Sequence, residues 1–348
     1  MKINLLSNKI SWFGKYSGYE CLPNYFPENE EVSIHHAESG LLNKVLGKVV
    51  KMKNGWDLVK PETAYSEYVF KKDINKAAIS HILYLESHIH LFEQTKLKQS
   101  KITGTIHLPY SRWSEQNLGR LSNLKNAVIL YKEEIDKFKN FIPAENIHVI
   151  RHGVDIDFFK PGDNTKVNRN KILVVGHFLR DFDTLLKAYT AILSDISDQV
   201  ELHIIIPAFL RQDSALQALA QQKNVFFHEK LSDEEMLAHY QDSNVLMMPM
   251  EDSGANTAIV QAIAVGLPII TTDAGGIRSY GGGEVYPLVA PKDHLKMVEL
   301  YAKYYNEPDF RDQASQDLRN FAVQKMDWRL IAQEHLQLYS ELQKKATV

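Results

Sequence analysis

The chain has a single cysteine, Cys21. A lone thiol cannot close an internal disulfide, so stability must come from packed cores, and a reducing compartment is expected. Long hydrophobic runs are missing too: none approaches the roughly 18 residues that a membrane-spanning helix needs. The opening MKINLLSNKISWFG is too polar for a signal peptide. A cytoplasmic protein is expected from these two absences. Charge of one sign is scarce: 40 Lys and Arg against 43 Asp and Glu leave a formal net charge of −3, which argues against nucleic acid as the main partner. No G-x-G-x-x-G follows any strand-like run, so a dinucleotide-dependent oxidoreductase lacks its fingerprint. The two D-x-D pairs, Asp155 with Asp157 and Asp181 with Asp183, have no further converging oxygens around them in the sequence. A hard cation wants several such oxygens, so no metal site and no cofactor are expected. Repeats and low-complexity segments are likewise lacking.

What is present is enough material for two folded domains. The 348 residues are 44% hydrophobic and 24% charged, the balance of an ordinary globular chain. The most organised stretch runs from Asn244 to Ile277, NVLMMPMEDSGANTAIVQAIAVGLPIITTDAGGI. Its periodicity predicts an apolar strand over Val245 to Met248, a turn of small polar residues, a helix, and a second apolar strand. Asp252, Ser253, Gly254 and Asn256 crowd the start of that helix, while Gly266 and Pro268 mark its end. A helix that begins this way aims unpaired N–H groups and the positive end of its dipole beyond the strand, which makes it a phosphate seat.

This stretch resembles the nucleotide-sugar signature of retaining glycosyltransferases of the GT-B fold, family 4. In that signature an acidic residue opens the turn, small residues cap a helix, and a second acidic residue precedes EAMA-x-GLPV. Here Gln261 to Ile270, QAIAVGLPII, takes the second part and TTDAGGI extends it, with Ser253 and Gln261 standing at the two acidic positions. Gln261 keeps the capacity to hydrogen-bond ribose hydroxyls but brings no charge. The resemblance implies that Ser253, Gly254, Ala255, Asn256, Thr257, Ala258 and Gln261 line the donor site.

The same resemblance extends along the chain. Gly153, Val154, Asp155, Phe159 and Pro161 look like the family's domain junction, followed by a polar linker to Asn170. KILVVGHFLRD, opening the second half, is similar to the family's phosphate-binding turn, with His177 at the place of an arginine and Arg180 at that of a lysine. Arg meets phosphate oxygens with paired hydrogen bonds, so Arg180 preserves the chemistry, whereas His177 is a cation only if a bound diphosphate raises its pKa. His228 to Leu231 correspond to the segment that frames the base, and Ser232 with Glu235 spells a capping box for the helix that follows.

In the first half, the loop after the strand Lys2 to Ser7 carries Gly14 and Gly18, and by resemblance it covers donor phosphates and sugar. His107 ends another strand pattern, where doubly wound sheets place ligand contacts, and the resemblance assigns it to the sugar and acceptor. A structural histidine bonded to a backbone carbonyl is the alternative for this residue. Arg112 and Trp113 are read as acceptor-side residues. Between Gly40 and Lys76, apolar residues alternate with Lys44, Lys48, Lys51 and Lys53. This is either a solvated helix face or an amphipathic one that meets an anionic membrane.

The expected fold is α/β, GT-B: two Rossmann-like doubly wound domains facing across a cleft. Residues 1–165 form the acceptor-side domain, 166–325 the nucleotide-sugar domain, and 326–348 a helix returning to the first. The expected function is transfer of a sugar from a nucleotide-diphosphate donor to a hydroxyl acceptor, with retention and without metal, in polysaccharide or glycolipid synthesis. Arg180 and His107 are the expected catalytic residues. The partners are a nucleotide sugar and a saccharide or lipid-linked acceptor, with peripheral contact at the inner membrane face as the alternative to a purely cytoplasmic location. A non-catalytic sugar-nucleotide binder or partner subunit is the alternative function.

Overall fold

In the computed structural model, residues 1–10, 14–54, 60–93 and 101–345 are described. Part of the expected glycine loop (11–13) and part of the lysine-rich segment (55–59) lie outside them. The chain divides into two compact units, one built from residues 1–11, 18–150 and 329–348, the other from 12–17 and 151–328. The division falls at Ile150 and Arg151, ahead of residue 165, and residues 14–17 belong with the second unit.

The first unit is a six-stranded sheet, all parallel, in the order β2-β1-β3-β4-β5-β6. Its strands are β1 (Lys2–Leu6), β2 (Glu31–His35), β3 (Ile79–Ile82), β4 (Ile102–Ile106), β5 (Asn126–Ile129) and β6 (Ile147–Val149). Helices α1 (Leu41–Asn54), α2 (Pro61–Asp73), α3 (Leu85–His88), α4 (Glu115–Leu121) and α5 (Ile135–Phe138) connect them. Ile3, Leu5, Ile79, Ile106, Val128 and Ile129 are fully buried, as strands covered on both faces must be. β2 is not signalled by an apolar run: it is an edge strand, EVSIH, none of whose residues is buried.

Helix α12 (Trp328–Lys345) contributes residues 329–345 to this unit. Of its expected inner face, Ile331, His335, Leu338 and Tyr339 are buried, whereas Leu330 is 38% exposed. The helix is pinned by polar contacts inside the core. Tyr19 Oη donates to His335 Nε2 at 2.7 Å, because His335 Nδ1 gives its proton to Ile331 O at 2.8 Å. His81 of β3 bonds both Tyr339 Oη (2.6 Å) and Thr105 Oγ1 (2.7 Å). Burial holds His81 well below its ordinary pKa and His335 at about 4, so both are neutral partners.

The second unit is another six-stranded parallel sheet, ordered β12-β11-β10-β7-β8-β9. Its elements are β7 (Asn168–Val175), α6 (Phe182–Asp195), β8 (Glu201–Ile205), α7 (Ser214–Leu219), β9 (Val225–His228), α8 (Asp233–Asp242), β10 (Ser243–Met248), α9 (Thr257–Val265), β11 (Ile269–Thr272), β12 (Leu288–Val289), α10 (His294–Asn306) and α11 (Pro308–Lys325). The helix starts follow cap chemistry legible in the sequence. Asp181, Asp213, Ser232, Asn256 and Asp293 each accept an amide of the first turn, and Ser232 with Glu235 forms the full capping box. Gly266 closes α9 at φ 75°, a left-handed position suited to glycine.

The Gly-Val-Asp junction is structural. A Cβ on Gly153 would stand 2.4 Å from the Trp328 ring, so only glycine lets the indole pack there. Val154 exchanges backbone bonds with Met326 and Trp328, and Asp155 Oδ1 caps the amides of Asp157 and Phe158. Both members of the other D-x-D pair sit at the head of α6, where Asp181 binds Thr184 and pairs with Lys292 at 2.8 Å.

Candidate functional site: an anion seat at the strand reversal

In an open parallel sheet, ligands bind outside the carboxyl ends of strands where chain order reverses. In the second unit that point lies between β7 and β10, and the loops after these two strands carry Arg180 and the start of α9. The loop after β7 turns through two left-handed residues, Gly176 (φ 76°) and Leu179 (φ 61°). Leucine is rarely found there, and such strain of about 1–3 kcal/mol persists only where the surroundings impose it. What imposes it is a stitch between the two loops: Asp181 N donates to Pro249 O (2.9 Å), Glu251 N to Leu179 O (3.0 Å), and Arg180 bridges to Met250.

The stitch delivers the Arg180 guanidinium to the helix tip. Its Nε and Nη2 share Val175 O at 3.2 and 3.0 Å, Nη1 meets Phe178 O (2.9 Å) and Met250 Sδ (3.3 Å), and Nη2 reaches Asn256 Oδ1 (3.3 Å). All five donors are engaged, every one by a neutral acceptor. Among the described residues no carboxylate pairs with this cation. Burial pulls its pKa down to about 10, which still leaves it charged at neutral pH. A desolvated cation with neutral partners gains by exchanging its weakest contacts for an anion.

Asn256 caps α9 by accepting the Ile259 amide at 3.4 Å, and Val260 N bonds Asn256 O at 3.0 Å. The amides of Thr257 and Ala258 have no acceptor among the described residues and carry the positive end of the helix. The preceding turn is rigid: Ser253 is buried, its Oγ donates to Gly254 O (3.0 Å), and its carbonyl accepts from Gly276 N (2.7 Å). Gly275 follows so closely that a Cβ there would lie 2.0 Å from Ser253 O. Ala255 and Thr257 are half-buried beside this turn. His177 is exposed at the surface, yet the partial loss of water around its ring and the Arg180 charge keep its pKa below the ordinary value, so in the free protein it is a neutral group.

Three expected site residues have other partners. Gln261 is 5% exposed, donates from Nε2 to Ser17 Oγ (2.7 Å) and accepts Tyr240 Oη at Oε1 (3.0 Å). Its amide is used inside the unit, and a ribose would have to displace one of these bonds. Gly14 packs on the first turn of α8, where Lys15 N donates to Asp233 Oδ2 at 2.8 Å and a Cβ on Gly14 would meet Asp233 Oδ1 at 1.7 Å. His228 lies against His203 and His239.

In the first unit the reversal lies between β1 and β3. Gly18 (φ 90°) starts a short 3-10 turn there over Tyr19–Tyr25. His107, after β4, is half-buried, its Nε2 donating to Leu83 O at 2.7 Å and its ring stacked on Tyr84 at 4.7 Å. The carbonyl bond fixes the tautomer, leaving the other ring nitrogen as the acceptor. Arg112 is exposed and Trp113 buried, with Nε1 donating to Leu108 O at 3.3 Å.

Sequence reasoning did not single out Glu86. One oxygen of its carboxylate accepts the amides of both His107 and Leu108, the latter at 2.7 Å. Burial raises its pKa to about 7, against the backbone bonds of Leu108, Glu86 and His107, which lower it. A carboxyl that titrates near neutrality at the strand ends is suited to acid–base work. The only sequence signal was its place just past an apolar strand.

Residues 169–306 match the family Glycosyl transferases group 1. Among curated proteins, the chain is 24% identical to MMP alpha-(1->4)-mannosyltransferase of Mycolicibacterium hassiacum over 205 residues, 58% of this chain and 49% of that protein. It is 22% identical to the putative teichuronic acid biosynthesis glycosyltransferase TuaC of Bacillus subtilis over 220 residues, 61% of this chain and 55% of that protein. The matches thus span about half the length of these relatives. Among solved structures, sucrose-phosphate synthase of Thermosynechococcus elongatus superposes with a TM-score of 0.72 at 14% identity, covering 98% of this chain and 99% of that one. Anabaena HepE in complex with UDP-glucose gives 0.72 at 14% identity, covering 98% and 100%. At this identity the likeness establishes the fold, which is that of the GT-B glycosyltransferases.

Proposed function

We propose that the chain is a glycosyltransferase that takes a sugar from a nucleotide diphosphate and gives it to a hydroxyl acceptor. The observation that carries this reading is the Arg180 guanidinium, held without a carboxylate partner among the described residues beside the bare amides of α9. Cleaving a nucleotide sugar leaves a diphosphate with growing negative charge while the sugar becomes cation-like. Charge stabilisation at the leaving group is therefore the main task of the protein. Arg180 and the Thr257 and Ala258 amides perform it, and His177 adds a neutral hydrogen bond or becomes cationic when the diphosphate arrives.

The reaction is read as retaining. The anomeric carbon–phosphate oxygen bond breaks, the acceptor oxygen bonds the anomeric carbon on the same face, and its proton goes to the departing phosphate. No side-chain nucleophile and no metal is then required. His107 orients sugar and acceptor. HepE, solved with UDP and UDP-glucose, and TuaC, named for teichuronic acid synthesis, support a uridine donor and a cell-surface polysaccharide product. α1 supports a lipid-linked acceptor delivered at an anionic membrane: Leu41 and Met52 are 81% and 84% exposed, flanked by Lys44, Lys48, Lys51 and Lys53. No helix among the described residues is long and apolar enough to cross a membrane.

One observation favours a second reading, a sugar-nucleotide binder without turnover. Both acidic positions of the family signature are neutral, and Gln261 is spent on Ser17 and Tyr240. A thermal-shift screen against nucleotide sugars, followed by donor hydrolysis, separates the two. A ligand selective for the native state raises the melting point. Binding with hydrolysis supports the transferase, binding without it supports the second reading, and no binding refutes both.

A further inference from the structure

Two strands and a helix of the second unit bring three histidines together at the edge of the sheet. His203 stands in β8 opposite Phe226 of β9, His228 closes β9, and His239 lies on α8. His203 Nδ1 is 3.0 Å from His228 Nε2, and the two rings stack with centroids 5.1 Å apart and 8° between their planes. The His239 ring centroid is 4.4 Å from that of His228 and 5.7 Å from that of His203. One nitrogen from each ring lies within 4.8 Å of the other two, and all three residues are half-buried.

Two features are not explained by packing. His203 Nε2 faces Glu201 Oε2 at 3.3 Å, so the ring gives its proton to the carboxylate and turns the Nδ1 lone pair towards the cluster. That is how a second carboxylate orients a metal-bound imidazole. His239 Nδ1 is buried with no hydrogen-bond partner among the described residues, and such orphans call for a missing partner. The ammonium of Lys171, which would oppose a cation, is paired with Asp242 at 2.5 Å.

We propose that His203, His228 and His239 bind one borderline divalent transition-metal ion of the Zn²⁺ type, with Glu201 holding His203 in the ligating tautomer. Tetrahedral ligand nitrogens at about 2.0–2.1 Å from zinc stand roughly 3.3 Å apart, and the three donors lie within 4.8 Å of one another, so closure draws them together by up to about 1.5 Å. Water fills the fourth position. The ion ties the edge strand β9 and helix α8 to β8, and no step of the transfer reaction passes through it. This reassigns His228 from the base to the metal.

The test uses the full chain without a histidine tag, stripped with chelator and titrated with Zn²⁺ by calorimetry and with Co²⁺ by visible absorption. The expected result is one ion per chain, a tetrahedral Co²⁺ spectrum, and a melting point raised by stoichiometric Zn²⁺. His239→Ala should abolish the Co²⁺ spectrum, and Glu201→Gln should weaken binding about 10- to 100-fold. His239→Gln replaces His239→Ala if the latter fails to fold. No binding by the parent chain, or unchanged stoichiometry and affinity in the His239 variant, would overturn the proposal. None of these readouts depends on glycosyl transfer, so the site can fail while the functional reading stands, and the reverse.

Discussion

Arg180 and Asn256 meet through one oxygen: Asn256 Oδ1 accepts Nη2 of Arg180 at 3.3 Å and the Ile259 amide at 3.4 Å. The helix cap and the cation are thereby coupled, and both contacts are long enough to yield to a stronger acceptor. On the proposed reading, a diphosphate arriving at the α9 tip would compete for Arg180 without unmaking the helix, because Val260 N remains on Asn256 O.

Arg180→Ala removes the charge but not the helix end. Donor turnover should fall by about 100-fold or more, the scale seen when one charge stabiliser is lost. Arg180→Lys should recover only part, since a point charge cannot copy the fork. Steady-state donor hydrolysis reads both, and unchanged turnover in the alanine variant would remove Arg180 from the mechanism.

Asn256→Asp separates stability from binding. The carboxylate still caps α9 and now pairs with Arg180, so the melting point should hold or rise. Affinity for nucleoside diphosphate should drop about 10-fold or more, a loss of roughly 1.4 kcal/mol, because the seat then carries its own anion. Calorimetric titration with uridine and guanosine diphosphates checks this.

Gln261→Ala removes the buried amide's bonds to Tyr240 Oη and Ser17 Oγ, leaving Tyr240 Oη its longer contact to Ala258 O at 3.4 Å. Stability should fall by about 1–3 kcal/mol, the scale of losing two buried hydrogen bonds. If Gln261 is mainly structural, diphosphate affinity measured well below the melting point should change by less than about threefold, under 1 kcal/mol. Denaturant titration and calorimetry give the two numbers.

Glu86 ties stability to pH in the direction opposite to a salt-bridged carboxylate. Its folded pKa is raised from 4.5 to about 7, so between these values the folded state holds more protons than the unfolded one. Stability from this group is therefore full below pH 4.5 and is lost as pH rises to about 7. Glu86→Gln keeps an oxygen for both amides and removes the titration. It should flatten that dependence and stabilise the protein above pH 7 by up to about 3 kcal/mol. Melting curves from pH 5 to pH 8 check it, and parallel profiles would refute the assignment.

The exposed face of α1 can be tested without disturbing a core. Leu41→Asp with Met52→Asp should leave the melting point unchanged, since both side chains lie in solvent. Co-sedimentation with phosphatidylserine vesicles at low salt should fall, and added salt should weaken binding by the parent chain too. Equal sedimentation of variant and parent would remove α1 as a membrane face.

Much of the fold was legible because its signals are local. Apolar runs mark β7, β10 and β11. Ser232 with Glu235, and Asn256 with Gly266, mark the ends of α8 and α9, since caps are satisfied by neighbours a few residues away. The edge strand β2 escaped because half-exposed residues leave no apolar run, and the charged KEEIDKFKNF segment forms a helix only over Ile135–Phe138 because its polar residues leave little face to bury. At the site, the chain itself determined that a bare helix tip and an arginine follow two buried strands. Tertiary structure alone decided that β7 and β10 are neighbours, which joins Arg180 to Asn256. It also decided that Gln261 spends its amide on Ser17, that burial raises the pKa of Glu86 beside His107, and that His203, His228 and His239 share one space. Those outcomes depend on partners far apart in sequence and on how much water each side chain loses, and neither quantity is written in local periodicity.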